Sequence, residues 1–232
     1  MIGPENHWQR LFRDFDPGIV FAQESLHPNR YFLPEDFSQF KGCLYAAVPH
    51  GKWGSAILSR HHQLESIPLP EFEGWVVGAR VPDLKINGRA QPAMIFSVHA
   101  PSPGPYEPIV HRILDVIANM QDGSTMIIAG DFNVTTAIRH ASEERSKNSS
   151  GERKILERLR TDFGMTNAWQ AMHPNENLPQ TLRWSRDPLP HYHCDAVFIG
   201  HEQLRHIAEA RIESAGHWGT MSDHNPVVVT FK

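Results

Sequence analysis

Thiol chemistry is almost absent from this sequence. Its 232 residues hold two cysteines, Cys43 and Cys194, far apart in the chain, too few for a disulfide framework and consistent with a reducing compartment. Long apolar runs are missing as well, so no segment reads as a membrane-spanning helix. The opening stretch, Met1-Ile2-Gly3-Pro4-Glu5-Asn6, lacks the basic and apolar regions of a signal peptide, and the cytoplasm is the expected location. Positive charge is not in excess either. Twenty-two Lys and Arg against 26 Asp and Glu leave a net charge of −4, which excludes a protein that coats nucleic acid through charge alone. It does not exclude an enzyme that meets phosphates locally. Repeats and low-complexity tracts are also lacking.

What is present is an ordinary globular composition, 40% hydrophobic and 21% charged, long enough to bury a substantial core in one domain over residues 1–232. Trp8, Leu11, Phe12 and Phe15 fall at helical spacing and predict an amphipathic helix over 5–15, stopped by Asp16-Pro17-Gly18. Strands are expected at Ile19–Ala22, Leu44–Val48, Ser55–Leu58, Trp75–Val81, Met94–Val98, Met126–Ala129, Ala196–Ile199, Ile207–Ile212 and Val227–Phe231. Helices are expected over 106–120 and through Ile155, Leu156, Leu159 and Phe163, with residues 141–152 as a polar, mobile loop. Strands and helices interleave, which reads as α/β.

The most informative stretch is Gly130-Asp131-Phe132-Asn133, at the end of the apolar run Met126–Ala129. In an extended segment the side chains of Asp131 and Asn133 leave the same face. They would set a carboxylate beside a carboxamide, which suits water activation near a phosphate or a metal. The alternative is a strand running into an Asx turn. Around it, Glu24, His99, Asp195 and the pair Asp223-His224 each stand at or just beyond the end of an apolar strand, where α/β scaffolds usually build active sites. The set is rich in oxygen and poor in sulfur, which suits Mg²⁺ or Mn²⁺.

The ordered series Gln23-Glu24, Gly54-Ser55-Ala56-Ile57-Leu58-Ser59-Arg60, Val98-His99, Gly130-Asp131-Phe132-Asn133, His193-Cys194-Asp195-Ala196-Val197-Phe198 and Ser222-Asp223-His224-Asn225-Pro226 resembles the endonuclease/exonuclease/phosphatase superfamily. The likeness runs from about residue 17 to 231, and Asn167-Ala168-Trp169 and Thr181-Leu182-Arg183-Trp184 resemble segments of its bacterial members. The resemblance implies a four-layer α/β sandwich, two packed mixed β-sheets with helices outside. It implies Mg²⁺ (or Mn²⁺) as cofactor. Position by position, it makes Glu24 a metal ligand and Asp223 a further carboxylate near the metal. Asp131 orients or deprotonates water with Asn133 beside it, His224 meets the phosphate, Asp195 fixes its tautomer, and His99 is a second histidine found in some branches.

Competing readings stand beside each of these. His99 alone could be a packed strand-end histidine, an acid such as Glu24 after a strand is common, and Ser222-Asp223-His224 could be a cap or turn. His191, His193 and Cys194 could hint at zinc, but no second ligand pair lies at finger spacing. Glu73 could support His99, though a solvated loop acid fits it better. One departure stands out. Members of the superfamily usually begin with a strand ending in Trp-Asn, and this sequence starts about where that strand should have ended. Asn6 is better placed to cap the first helix than to replace that Asn.

For the substrate, Arg139, Arg145, Lys147, Arg153, Lys154, Arg158 and Arg160 form a local basic excess, and Arg183 and Arg186 flank Trp184, with Trp218 preceding Ser222. Cations and aromatics of this kind can hold a nucleic-acid backbone and stack a base; a solvated helix face with a packed tryptophan is the plain alternative. Arg183, Trp184 and Trp218 are the candidate substrate residues. Nucleic acid is the first candidate substrate, a small phosphomonoester or lipid head group the second, and a phosphate-binding module with weakened catalysis the third. No membrane-inserting helix is present, and nothing in the sequence marks an oligomeric state.

Overall fold

The structure, a computed structural model, describes residues 6–101, 104–143, 146–184, 192–213 and 218–232. In chain order the elements are α1 (His7–Phe15), β1 (Ile19–Ser25), α2 (Pro34–Phe37), β2 (Gly42–Ala47), β3 (Gly54–Ser59), β4 (Glu65–Ile67), β5 (Val76–Ile86), β6 (Arg89–His99), α3 (Tyr106–Ala118) and β7 (Thr125–Asp131). There follow α4 (Ser150–Thr161), β8 (Met165–Asn167), α5 (Ala168–Met172), β9 (Asp195–Gly200), α6 (His201–Leu204), β10 (Ile207–Ile212) and β11 (Val227–Phe231).

A six-stranded sheet in the order β4-β5-β6-β7-β9-β8 forms the centre. Its neighbours are antiparallel except β6 and β7, which run parallel because α3 crosses between them. Facing it are a three-stranded antiparallel sheet, β1-β3-β2, and a two-stranded ribbon, β10-β11. The sandwich of two β layers with helices outside is therefore the one expected. Only the six-stranded sheet is mixed, however, and the second layer is divided.

Side-chain alternation fixes which residues look inward to which layer. On β6, Met94, Phe96 and Val98 join Ile113, Leu114 and Leu159 under α3 and α4. The intervening Ile95 faces the second layer, among Ile57, Ile127 and Ile199. The same parity carries Ser97 and His99 on β6, and Ala129 and Asp131 on β7, to the face between the β layers. A third cluster, Trp8 with Val20 and Leu58, fastens α1 to the outside of β1 and β3. Asn6 caps α1: its side-chain oxygen accepts from Gln9 N, and the Gln9 side chain accepts from Asn6 N.

Strands expected at Trp75–Val81 and Met94–Val98 belong to one long hairpin. Asn87 and Gly88, at φ 51° and 70°, make the tight turn that Asn-Gly favours. The register slips between Val81 and Leu84, which breaks the alternation and hid the outer halves of both strands. The loop expected to be mobile is tied down in its described part. Asn148 is buried, accepts from Arg139 N and donates to Ala137 O, and Ser149 with Glu152 forms a capping box that starts α4. Among the described residues no helix is long and apolar enough to cross a membrane.

Candidate active site

Register brings three candidates together. His99 stands opposite Asp131 across β6 and β7, and Asp131 stands opposite Asp195 across β7 and β9. Because β9 runs antiparallel, its first residue meets the last of β7, and the three side chains share the inner face at one end of the sheet.

His224 arrives from the segment before β11. Its Nδ1 lies 2.9 Å from Asp195 Oδ2 and 3.1 Å from Oδ1. Burial by itself would lower this imidazole, but the charge and hydrogen bond of Asp195, with Asp131 and Asp223 behind them, carry it up to about 9. Asp195 is held in turn by Thr181, whose Oγ1 accepts from Asp195 N at 3.1 Å and from Cys194 N at 2.9 Å. The His224 segment is locked as well. The Arg183 guanidinium donates to Asn225 Oδ1 and Ser222 O, Asn225 Nδ2 donates to Gln180 O at 2.7 Å, and His224 N donates to Ser222 Oγ at 3.0 Å. Thr181 and Asn225 left no mark in the sequence beyond their place in the quoted segments.

Asp131 is 5% exposed and the most constrained acid in the site. Its Oδ1 accepts from Asn133 N at 2.8 Å, and Asn133 sits at φ 53° with Nδ2 donating to Ala100 O. The strand therefore ends in an Asx turn, and the expected same-face placement of Asp131 and Asn133 does not occur. The reason is that β7 stops at Asp131, so the period of two no longer applies to residue 133. Burial, then the nearby Asp195 charge, pushes Asp131 well above the usual carboxylate range, against the pull of His224 and the Asn133 N–H.

His99 is buried between Trp53 and Trp75, at ring-centroid distances of 5.6 and 5.2 Å. Its Nε2 lies 3.6 Å from Glu24 Oε1 and 3.8 Å from Asp131 Oδ2, and its buried Nδ1 has no partner among the described residues. Desolvation, with some repulsion from His224, lowers it to about 4, so it is neutral at pH 7. Glu24 reaches it because the β1–β3 register breaks between Ala22 and Ser25 and Glu24 takes φ 51°. Gln23 anchors that bend by donating to Ser97 Oγ at 2.8 Å. Glu73 is exposed at a loop, as a solvated acid should be.

Among the described residues, Asp131, Cys194 and His224 offer ligand atoms all within 4.8 Å of one another. The buried thiol is pushed well above its ordinary value by desolvation and by Asp195 and Asp131, and it donates to Asp195 Oδ2 at 3.6 Å. Its soft sulfur is poorly matched to a hard cation. The oxygen donors Asp131 and Glu24, the latter 65% exposed and free to adjust, fit a hard cation that keeps several waters. Asp223 is exposed, and its carbonyl accepts from Arg183 N at 2.8 Å. His193 is spent on Pro179 O and Asn167 and is not open to zinc; His191 lies outside the described residues.

The candidate substrate residues divide. Trp184 is 44% exposed beside Tyr192. Trp218 is buried and stacks on Phe15 at 5.7 Å, so it serves packing and is not open to a base. Arg183 is committed to the His224 segment. Of the basic excess, Arg139 forms a buried pair with Glu143, Arg158 binds Asp115 and Asp162, Arg160 binds Glu157, and Arg153 donates to Asn148 O. Arg145 and Arg186 lie outside the described residues.

Comparison with solved structures places this geometry in a known fold. An AP endonuclease from Archaeoglobus fulgidus superposes with a TM-score of 0.71 at 17% identity, covering 96% of this chain and 91% of that one. The 3′ phosphatase NExo from Neisseria, solved with a product DNA hairpin, gives 0.74 at 20% identity over 97% and 93%. The catalytic domain of Xenopus laevis APE2 gives 0.69 at 16% identity over 97% and 86%. No protein-family model matches the sequence, and no curated protein matches it.

Proposed function

We propose that this chain, which has the fold of the endonuclease/exonuclease/phosphatase superfamily, hydrolyses phosphodiester bonds in DNA or RNA with the help of a divalent cation. The observation that carries the reading is the Asp195–His224 pair set beside the buried Asp131 in the lining of one cleft. Asp195 takes the Nδ1–H, which fixes the ring's orientation and leaves Nε2 for a phosphoryl oxygen. Raised to about 9, the imidazole is cationic at pH 7 and can donate a charge-assisted hydrogen bond to that oxygen. Asp131, with its raised proton affinity, accepts the proton of the attacking water. His99, neutral at that pH and confined by Trp53 and Trp75, lines the site 3.6 Å from the Glu24 carboxyl and 3.8 Å from that of Asp131 without adding a second positive charge. Glu24 would hold Mg²⁺ or Mn²⁺ beside Asp131, and the ion would supply charge neutralisation on the non-bridging oxygens.

Plasmid nicking in the presence of Mg²⁺, abolished by chelator and in Asp131→Ala, is the expected result. The absence of nicking with any divalent cation counts against it. The neighbour described as a 3′ phosphatase favours one second reading, release of a terminal phosphate. Free phosphate from a 3′-phosphorylated oligonucleotide without internal cuts would select that activity.

A further inference from the structure

Asp195 opens β9 and His224 stands in the segment before β11, and residues 180–183 run between the two. Leu182 bridges to Tyr192 on one side and to His224 on the other. Toward β9, Thr181 N and Leu182 N donate to Tyr192 O at 2.8 and 3.1 Å. Toward His224, Asn225 N donates to Thr181 O at 2.7 Å and Arg183 N donates to Asp223 O at 2.8 Å. This short ladder of main-chain bonds sets the spacing between the two halves of the pair.

On the β9 side the ladder stops at Tyr192, and the Thr181 side chain continues it. Its Oγ1 accepts from Cys194 N at 2.9 Å and from Asp195 N at 3.1 Å, and it donates to Tyr192 O at 3.4 Å. β8, the neighbour of β9 further along, ends at Asn167 opposite Phe198 and does not reach Asp195. A side-chain oxygen therefore stands where a neighbouring strand would have been. Thr181 is fully buried, and a hydroxyl has one hydrogen and two lone pairs, so this one has nothing left for a substrate. Its whole capacity is spent on the backbone that carries Asp195. Through its hydroxyl and its carbonyl, one residue grips both members of the 2.9 Å contact between Asp195 Oδ2 and His224 Nδ1.

We propose that Thr181 is a positioning residue for the hydrolysis: its hydroxyl fixes the main chain at Asp195 so that the carboxylate meets His224 Nδ1. The effect on rate rests on the phosphodiesterase reading above; the effect on the pair rests on the hydrogen bonds alone. A misplacement of about 1 Å at a reacting group can cost about 100-fold in rate, so the loss of this support reaches turnover without touching the substrate.

The test compares Thr181→Val, which keeps the shape and removes the acceptor, with Thr181→Ser, which keeps the acceptor. Both are studied as the full chain, at a temperature where circular dichroism shows them folded. The first readout is the ring ¹⁵N chemical shift of His224, which reports the hydrogen bond at Nδ1. Thr181→Val should move it most of the way to its value in Asp195→Asn, and Thr181→Ser should leave it at the parent value. The second readout is the kinetics on duplex DNA with Mg²⁺. Thr181→Val should lower kcat by about 30-fold with KM within about 2-fold, and Thr181→Ser should stay within about 3-fold of the parent. Thr181→Cys, with a sulfur that accepts only weakly, takes the place of the valine variant if that chain does not fold. A folded valine or cysteine variant with the parental His224 shift overturns the proposal, and so does a serine variant that fares no better than they do. A parent that cuts no phosphodiester sinks the reading of the activity instead, and the His224 shift then decides the role of Thr181 by itself.

Discussion

Asp195 and His224 come from segments 29 residues apart and meet at 2.9 Å, carboxylate to Nδ1, on a loop braced by Arg183 and Asn225. The pairing sets both the ring's orientation and its proton affinity. In the folded chain His224 sits at about 9, above its ordinary 6.5. Stability from this pair is therefore fully present below about pH 6.5 and is lost as pH rises through about 9. Asp195→Asn should return the His224 titration, followed by NMR, toward or below its ordinary value. The melting-temperature gap between parent and variant should be widest near pH 6 and close by about pH 10. Turnover should fall by about 100-fold. An unchanged His224 titration would break the pair.

Arg183 was a candidate phosphate ligand, and the structure gives its guanidinium to Asn225 and the Ser222 carbonyl. The two roles separate kinetically. A side chain that only binds substrate raises KM when removed and spares kcat. A side chain that holds the His224 segment lowers kcat. Arg183→Ala should reduce kcat by about 10-fold with KM within about 2-fold. A rise confined to KM would restore the binding role.

Gly130 precedes the buried acid at φ 137°, and a Cβ there would stand 2.0 Å from Val98 O, the backbone of its β6 partner. Neither the conformation nor the contact can relax without separating β6 from β7. Gly130→Ala should cost about 3 kcal/mol or more and lower the melting temperature by about 6 °C or more in a chain of this size. A shift within 2 °C, an order-of-magnitude limit, would mean the strand pair is softer than its geometry implies.

Much of this was legible in the sequence because strand ends carry local signatures. Apolar runs located β7 and β9 closely, and the acids at their ends followed from the same runs. Their partners did not. Thr181 supports Asp195 through backbone N–H groups 13 and 14 residues away, and such a contact leaves no period to read. Trp53 and Trp75 enclose His99 from two other segments. Trp218 looked like a stacking platform because a tryptophan beside a site motif is ambiguous until its neighbours are known; Phe15 decides it. Asn133 misled for the opposite reason: the strand period was extended two residues past the point where the backbone turns.

Asp131 is where activity and stability oppose each other. Its carboxyl is buried, and both burial and the Asp195 charge favour the protonated form. The folded state thus holds this proton more tightly than the unfolded chain. As pH rises above the unfolded value of about 3.9, keeping Asp131 ionised costs the folded state progressively more. Asp131→Asn removes that cost while Oδ1 still accepts from Asn133 N, so the Asx turn survives. The variant should melt higher than the parent by roughly 2–4 °C near pH 8, with the difference shrinking toward pH 4. Phosphodiester hydrolysis should drop by about 100-fold or more, since a carboxamide cannot take the proton from water. Calorimetry at the two pH values and a nicking assay on one preparation check both arms. A variant less stable at pH 8 would show that the carboxylate is held by favourable contacts rather than against repulsion, and the assignment of Asp131 as a strained base would fail with it.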